Sequence, residues 1–443
     1  MLHMDASAYF HGKKITVMGL GLLGRGVGDV RFLAEAGADL VVTDLKTKEQ
    51  LTPSLEALKD FTNIRFVLGE HRLEDFQERD LILKAPKTPL DSIYIAEAHK
   101  NGIPVTMSTA LFARLAREQG GALIGVTGTR GKTTTTEMIA HTLRTVGKKV
   151  LLGGNIRGVS TLALLPEVTP GTVAVLELDS WQLQGFSAEE LSPHISVFTT
   201  FYPDHQDYYK GMDDYLADKA EIFLHQGPDD VLVLGEQAAP LVVETYGNAI
   251  VSTLLVAKVD TITEDILSIP GMHNRANAAC ALAAVTAIGV GKEAALSSLK
   301  TFSGVSGRLE LVGEHGGVKF YNDTTATTPE ATLVALDALD NGAKNIILIM
   351  GGYDKGLDMN RLLLEVQKRV KRILMLSGTG TSRVLQYVEG ASVYDSLPTA
   401  FAEAVRSASP GDIVLLSPAF ASFGMFENEY ERGDAFSALV RAL

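Results

Sequence analysis

The stretch ALIGVTGTRGKTTTTEMIAHTLRTVG, residues 122–147, passes from an apolar strand pattern through a glycine-rich turn into an amphipathic helix opened by Lys132 and Thr133. That arrangement does phosphate chemistry. Backbone N–H groups from Gly128, Thr129, Gly131 and Lys132 and the helix N-terminus offer positive ends to an anion. Lys132 adds a charge for the β- and γ-phosphates, the Thr133 hydroxyl is placed for Mg²⁺, and Thr134 follows in the same turn. The generic pattern has glycine where this chain has Val126, so the match is to the variant TGTxGK[ST]. An ordinary tight turn would not need Lys-Thr in register with both strand and helix, and nucleotide binding is the better reading.

Acidic and imidazole groups follow at strand ends. VAVLELDSWQLQGF places Glu177 and Asp179 at the carboxyl end of a buried strand, and VFTTFYPDHQDYY does the same for Asp204, His205 and Asp207. Parallel α/β sheets hold ligands at those ends. Mg²⁺ needs only one or two carboxylates there, beside phosphate oxygens and waters. Singly, each of these residues is as well read as a solvated cap or a structural histidine; two strand ends aimed at one phosphate loop favour function. In DDYLADKAEIF, Tyr215 and Lys219 share a helix face, and by pattern alone Lys219 is a solvated lysine. Far upstream, ITVMGLGLLGRG (residues 15–26) carries Gly19, Gly21 and Gly24 with the spacing of a dinucleotide-binding turn, and Asp44 follows Gly24 by twenty residues.

The elements that would position these groups alternate short apolar runs with helical patterns, as parallel α/β domains do. KITVMGL, DLVVTDL, IRFVL, DLILKA and IPVTMS read as strands of a first domain over 1–112, with the helix GVGDVRFLAEAG stopped by Gly37. A second domain, 113–304, runs from ALIGVTG to NRANAACALAAVTAIG and beyond; a third, 305–443, holds NIILIMGG, RILMLSG and DIVLLSP. The 443 residues carry 40 Lys and Arg against 53 Asp and Glu, a net charge of −13, which argues against a nucleic-acid or anionic-membrane binder. No window is long and apolar enough for membrane insertion. The single cysteine, Cys280, rules out an intramolecular disulfide and points to a reducing, cytoplasmic location.

Read together, GVTGTRGKTTTT, GGNIRG, LELDSWQL, DHQDYY with Lys219, GMHNRANAACALAA, GRLE, YNDTTATTP, GGYDKG and SPAFASFGMFENEYERGDAF resemble, in order, the motifs of the Mur ligases of peptidoglycan synthesis. With the first glycine loop the resemblance spans residues 15–436. It implies a Rossmann-like UDP-binding domain, a central P-loop ATPase-type domain with a parallel sheet, and a C-terminal Rossmann-like domain. It also implies an ATP-dependent amide-bond ligase working through an acyl phosphate. LELDSWQL, GGYDKG and the SPA-AS to RG-F segment are most similar to the branch that joins D-glutamate to UDP-N-acetylmuramoyl-L-alanine.

By resemblance, Lys132 and Thr133 serve ATP and Mg²⁺, Glu177 holds Mg²⁺, and His205 meets a second ion. Lys219 matches a lysine carbamylated by CO₂, which turns an ammonium that cannot ligate Mg²⁺ into a pair of oxygens that can. Asn274 would meet adenine, Arg308 the phosphates and Asp323 the ribose. Asn155 would touch the sugar-peptide, and Thr327, Lys355 and Ser422 the carboxylates of the incoming amino acid. The first loop, with Gly21, Leu22 and Asp44, would then hold a UDP-sugar, its amides toward the diphosphate and Asp44 toward uridine. The partners implied are small molecules, and the expected state is a monomer.

Four positions depart from the D-glutamate pattern. Asp179 replaces a serine, Thr325 a lysine and Glu429 an aromatic residue, and MSTALF lacks an acidic residue. Losing a cation and gaining a carboxylate weakens the case for a dicarboxylate amino acid, so a sister ligase with another amino acid stays open. A folylpolyglutamate synthase would lack the first Rossmann-like domain. An NAD-dependent oxidoreductase would use the first loop but leave the ATP loop unexplained, and a non-catalytic nucleotide-binding module would bind without turnover.

Overall fold

The computed structural model describes residues 6–22, 24–205, 208–263 and 266–443. Three sheets build it. The first has β1 (Lys14–Met18), β2 (Asp39–Asp44), β3 (Ile64–Leu68), β4 (Leu81–Lys84) and β5 (Val105–Thr106), all parallel in the order β3-β2-β1-β4-β5. The second has β6 (Ala122–Thr127), β7 (Val150–Gly154), β8 (Val173–Glu177), β9 (Ile195–Phe198), β10 (Val231–Gly235) and β11 (Thr253–Ala257), parallel in the order β11-β10-β9-β6-β8-β7.

The third has β12 (Glu310–His315), β13 (Val318–Asn322), β14 (Ile346–Gly351), β15 (Val370–Leu376), β16 (Ser392–Tyr394) and β17 (Ile413–Leu416), in the order β12-β13-β17-β14-β15-β16. Only its edge strand β12 runs antiparallel. Central strands covered on both faces need unbroken apolar runs rather than alternation. VAVLE of β8 and IILIMG of β14 are accordingly buried throughout.

The chain separates into two compact units, Met1–Ile262 with Ala276–Leu299, and Thr263–Arg275 with Lys300–Leu443. The first unit holds two sheets because their apolar residues form one core. Helix Ser108–Glu118 carries Phe112 and Leu115 into it, beside Leu33 of the first sheet's layer and Leu162, Leu176 and Phe186 of the second's. Polar ties join the same two layers. Gln182 donates to Thr109 (3.0 Å) and Ser160 to Asp29 (2.6 Å). Burial pushes the Asp29 carboxyl up to about 6, against the Ser160 hydrogen bond. In the second unit, helices such as Pro329–Leu339 and Asn360–Arg369 cover one face of the third sheet, and Leu397–Ser407 and Glu429–Arg441 the other.

Candidate active site

The phosphate loop follows β6 and is gripped by the chain that follows β9. Thr129 N–H donates to Thr200 O (2.7 Å), Arg130 N–H to Thr200 Oγ1 (2.9 Å), and Thr199 Oγ1 to Arg130 O (2.6 Å). This packing explains Gly128, where φ is 138° and a Cβ would run into Thr199 Oγ1. Gly131, in the left-handed region at φ 86°, caps helix Lys132–Thr145 with no side-chain hydrogen bond. The N–H groups of its first turn, including Thr133 and Thr134, therefore have no capping side chain to compete with an anion. Lys132 Nζ folds over the loop, donating to the carbonyls of Gly128 (3.0 Å) and Thr129 (3.2 Å).

The expected partners gather around this loop. Glu177 ends β8, only 3 % exposed. Its Oε1 accepts from Asn155 Nδ2 at 3.3 Å, while Oε2 is buried with no hydrogen-bond partner. Asn155 is placed by its own N–H on Glu177 O (2.7 Å), and its Oδ1 accepts from Arg25 (2.9 Å). Its amide thus links the first sheet's glycine loop to the second sheet's strand end.

His205 sits in the left-handed region at φ 52°, its ring 4.5 Å from Trp181. Burial holds its pKa below the ordinary histidine value against the pull of Asp204, so the imidazole is a neutral donor. Asp207 lies outside the described residues.

Lys219 departs most from its local pattern. The solvated lysine suggested by DDYLADKAEIF is 1 % exposed, with Nζ donating to Gly128 O at 3.0 Å and lying 4.7 Å over the Tyr215 ring. Burial first, then the Lys132 ammonium, drives its pKa well below the ordinary lysine value. A buried, uncharged amine is a nucleophile rather than a surface charge.

Among the described residues no group of three His, Cys, Asp or Glu forms a ready metal cage. Mg²⁺ does not require one, since it keeps waters and shares phosphate oxygens. The partnerless, buried Glu177 Oε2 beside a phosphate loop is the kind of hard oxygen donor that suits it.

A cavity of about 1080 Å³ runs from the first glycine loop, Gly19–Leu22, to the start of helix Ser180–Ala188, reaching Asp179 and Trp181. The loop is closed on itself more than its sequence suggests. Gly19 N–H donates to Thr43 O (2.7 Å), and the N–H groups of Leu20 and Gly21 both donate to Asp44 Oδ2 (2.9 and 3.1 Å). Asp44 is thereby turned onto the loop, and the amides of Gly19, Leu20 and Gly21 are already engaged. Leu22 stays exposed.

Asp179 is explained locally. It caps its helix, accepting from Gln182 N–H (2.8 Å) while Gln182 Oε1 accepts the Asp179 N–H (3.2 Å). Serine and aspartate are equivalent caps. Asp179→Ser is therefore expected to change stability by under about 0.5 kcal/mol, and Asp179→Ala to cost about 1 kcal/mol in urea denaturation. Equal midpoints for wild type and the alanine variant would remove the cap from the account.

In the second unit the strand ends of β13, β17 and β14 lie side by side. Lys355 after β14 donates to Thr327 Oγ1 after β13 (3.0 Å), while buried Ser422 lies on the loop after β17. Asp323 is committed inward, accepting from Leu309 N–H (3.1 Å) and Ser417 Oγ (2.8 Å), and burial pushes its carboxyl up to about 7. Arg308, beside Leu309 in sequence, is exposed. Asn274 is buried and donates to Pro270 O at 2.7 Å. Thr325 donates to Gly307 O (3.0 Å), and Glu429 opens helix Glu429–Arg441, where an acidic residue suits the helix N-terminus.

Two residues escape the sequence reading. Arg432, 1 % exposed, donates to Thr324 Oγ1 (3.1 Å), Thr324 O (2.8 Å) and Phe420 O (3.3 Å), clamping the loops that carry Thr327 and Ser422. Gly433 permits this, because a Cβ there would strike Thr324 Cγ2 at 2.5 Å. Lys84 is a lysine closing an otherwise apolar strand, LILK, and it is buried in the cavity wall. That break in pattern was its only signal.

Comparison with known proteins covers nearly the whole chain. Residues 13–107 match the Mur ligase MurD-like N-terminal domain, 126–266 the Mur ligase middle domain and 307–420 the Mur ligase glutamate ligase domain. A UDP-N-acetylmuramoylalanine--D-glutamate ligase from Roseiflexus sp. is 39 % identical, covering 97 % of this chain and 99 % of that protein. One of the same name from Borreliella burgdorferi is 34 % identical, covering 96 % and 97 %. Among solved structures, the UDP-N-acetylmuramate-alanine ligase of Thermotoga maritima is similar in fold, with a TM-score of 0.61 at 19 % identity, covering 97 % of this chain and 99 % of that one.

Proposed function

We propose, because this chain belongs to the Mur ligase family and is an ATP-dependent amide-bond ligase of peptidoglycan precursor synthesis, that it joins D-glutamate to UDP-N-acetylmuramoyl-L-alanine. The observation that carries the substrate assignment is the full-length likeness to relatives of that printed name. In this reading residues 1–112 take the UDP-sugar, 113–304 ATP and 305–443 the amino acid. The substrate carboxylate attacks the γ-phosphorus and ADP leaves. The amine then attacks the acyl carbon, phosphate leaves, and the amine proton passes to solvent.

Lys132 and the amides from Gly128 to Thr134 hold the phosphates in line, a task suited to the uncapped helix start. Thr133, Glu177, His205 and carbamylated Lys219 would hold two Mg²⁺ ions, which when bound neutralise charge on the reacting oxygens. Burial and the Lys132 charge disfavour the ammonium form of Lys219, which favours addition of CO₂ to the amine, forming an N–C bond and releasing one proton. Asn155 steadies Glu177 while facing the sugar-peptide. By family resemblance Asn274 would meet adenine, Arg308 the phosphates and Asp323 the ribose, with Asp323 also ordering its own loop. Lys355 and Thr327, already paired, and Ser422 take the carboxylates of the amino acid. The enzyme is proposed to act as a cytoplasmic monomer; its one cysteine, Cys280, is buried, and burial pushes the thiol up to about 12.

The test is phosphate release with ATP, Mg²⁺ and UDP-N-acetylmuramoyl-L-alanine across a panel of amino acids. D-Glutamate is expected to give the highest kcat/KM. Preference for another amino acid would overturn the substrate assignment alone, which is where Thr325, in place of a lysine, puts the pressure.

A further inference from the structure

In the cavity beside the first glycine loop, Gly19, Leu20 and Gly21 spend their amides on Thr43 and Asp44, while helix Arg25–Glu35 starts at Gly24 with no side-chain cap. A carboxylate behind the loop also repels phosphate rather than attracting it. A cation on the wall would offset that carboxylate.

Lys84 is in the right place. It ends β4 in register with Met18, the last residue of β1 before the loop, where the N–H of the following Ala85 donates to Met18 O at 2.8 Å. The chain leaves β1 toward β2 on one side and returns as β4 on the other, so these two strands frame the switch-point crevice where such sheets bind ligands. Lys84 is buried, and its Nζ donates to the carbonyls of Thr88 (3.1 Å) and Pro86 (3.4 Å). No carboxylate is paired with it among the described residues; Asp218 and Asp179 act on it only from a distance. An ammonium has three donors, and two carbonyls leave one for the cavity that Lys84 lines. Burial lowers its pKa to about 8, the mark of a cation short of an anion.

We infer that Lys84 binds the diphosphate of the nucleoside-diphosphate sugar, adding its charge to the uncapped start of helix Arg25–Glu35. This rests on the reading that the cavity takes a UDP-linked substrate, and the experiment separates the two.

Calorimetric titration of the full-length protein with UDP and with uridine is the measurement. Wild type should bind UDP far more tightly than uridine. Lys84→Met should weaken UDP roughly thirtyfold or more while leaving uridine unchanged. If Lys84→Met fails to bind uridine, Lys84→Gln, which keeps donors for Pro86 and Thr88 without the charge, takes its place. Unchanged UDP affinity overturns the role of Lys84 and leaves the UDP-sugar reading standing. Unchanged UDP affinity with a raised KM for the complete nucleotide substrate places Lys84 on another anionic group and equally overturns it. Wild type that binds no UDP overturns both.

Discussion

Lys219→Ala is expected to lower ligase turnover on the order of a thousandfold, the scale for losing a preorganised charge at a phosphoryl-transfer centre. The variant removes a side chain whose amine lies 3.0 Å from Gly128 O in the phosphate loop, and with it the group proposed to add CO₂. Formate or acetate at millimolar levels should restore part of the rate, because a small carboxylate fits the space left and supplies the missing oxygens. Wild type stripped of CO₂ and bicarbonate should lose activity and regain it when bicarbonate returns. Neutrality of the amine is what makes this chemistry available, and it follows from burial and from Lys132 close by, not from helix periodicity. A variant that keeps near-normal turnover, or a wild type indifferent to bicarbonate, would sink the carbamate and leave Lys219 a packing residue.

Arg432→Ala should cost about 3 kcal/mol of stability in the second unit and raise the KM for the amino acid about tenfold. It strips donors from Thr324 Oγ1, Thr324 O and Phe420 O, all buried, and leaves a void beside them. The loops it joins carry Thr327 on one side and Ser422 on the other, so loosening them spoils the grip on the amino acid. UDP affinity, which belongs to the first unit, should not move. Arg432→Lys is expected to recover less than half of the loss, since an ammonium cannot span the same acceptors with the geometry of a guanidinium. Unaltered stability together with an unaltered KM would falsify the clamp.

These two residues mark the limit of local reading. The phosphate loop was legible because its parts lie within six consecutive residues, Gly128 to Thr133, and each acts through its own backbone or a neighbour's. Strand ends were legible for a similar reason. An apolar run such as VAVLELD stops where its first acidic residue appears, and parallel strands deliver their ends to one edge. The NAD-dependent alternative drew on the same logic at Gly19–Gly24, where the motif is local but its meaning is not. What the loop does depends on Asp44, a residue on another strand, which closes on its amides. Of the departures from the D-glutamate pattern, Asp179 resolves as an equivalent helix cap. Nothing in the structure explains the loss of a lysine at Thr325.

From the sequence alone came the α/β class, the three-sheet order of elements, the ATP loop, and the carboxylate and imidazole at the ends of β8 and β9. Periodicity and short-range spacing encode all of these, since a strand, a turn and a helix start are each specified by residues that touch in sequence. Only tertiary structure decided that Lys219 is a buried amine, that among the described residues Glu177 Oε2 has no partner and Lys84 no paired carboxylate, and that Arg432 ties two loops together. Each of those properties is set by what lies across the fold from the residue. Solvation and the reach of opposite charges depend on distances between segments far apart in the chain, and no local pattern carries them.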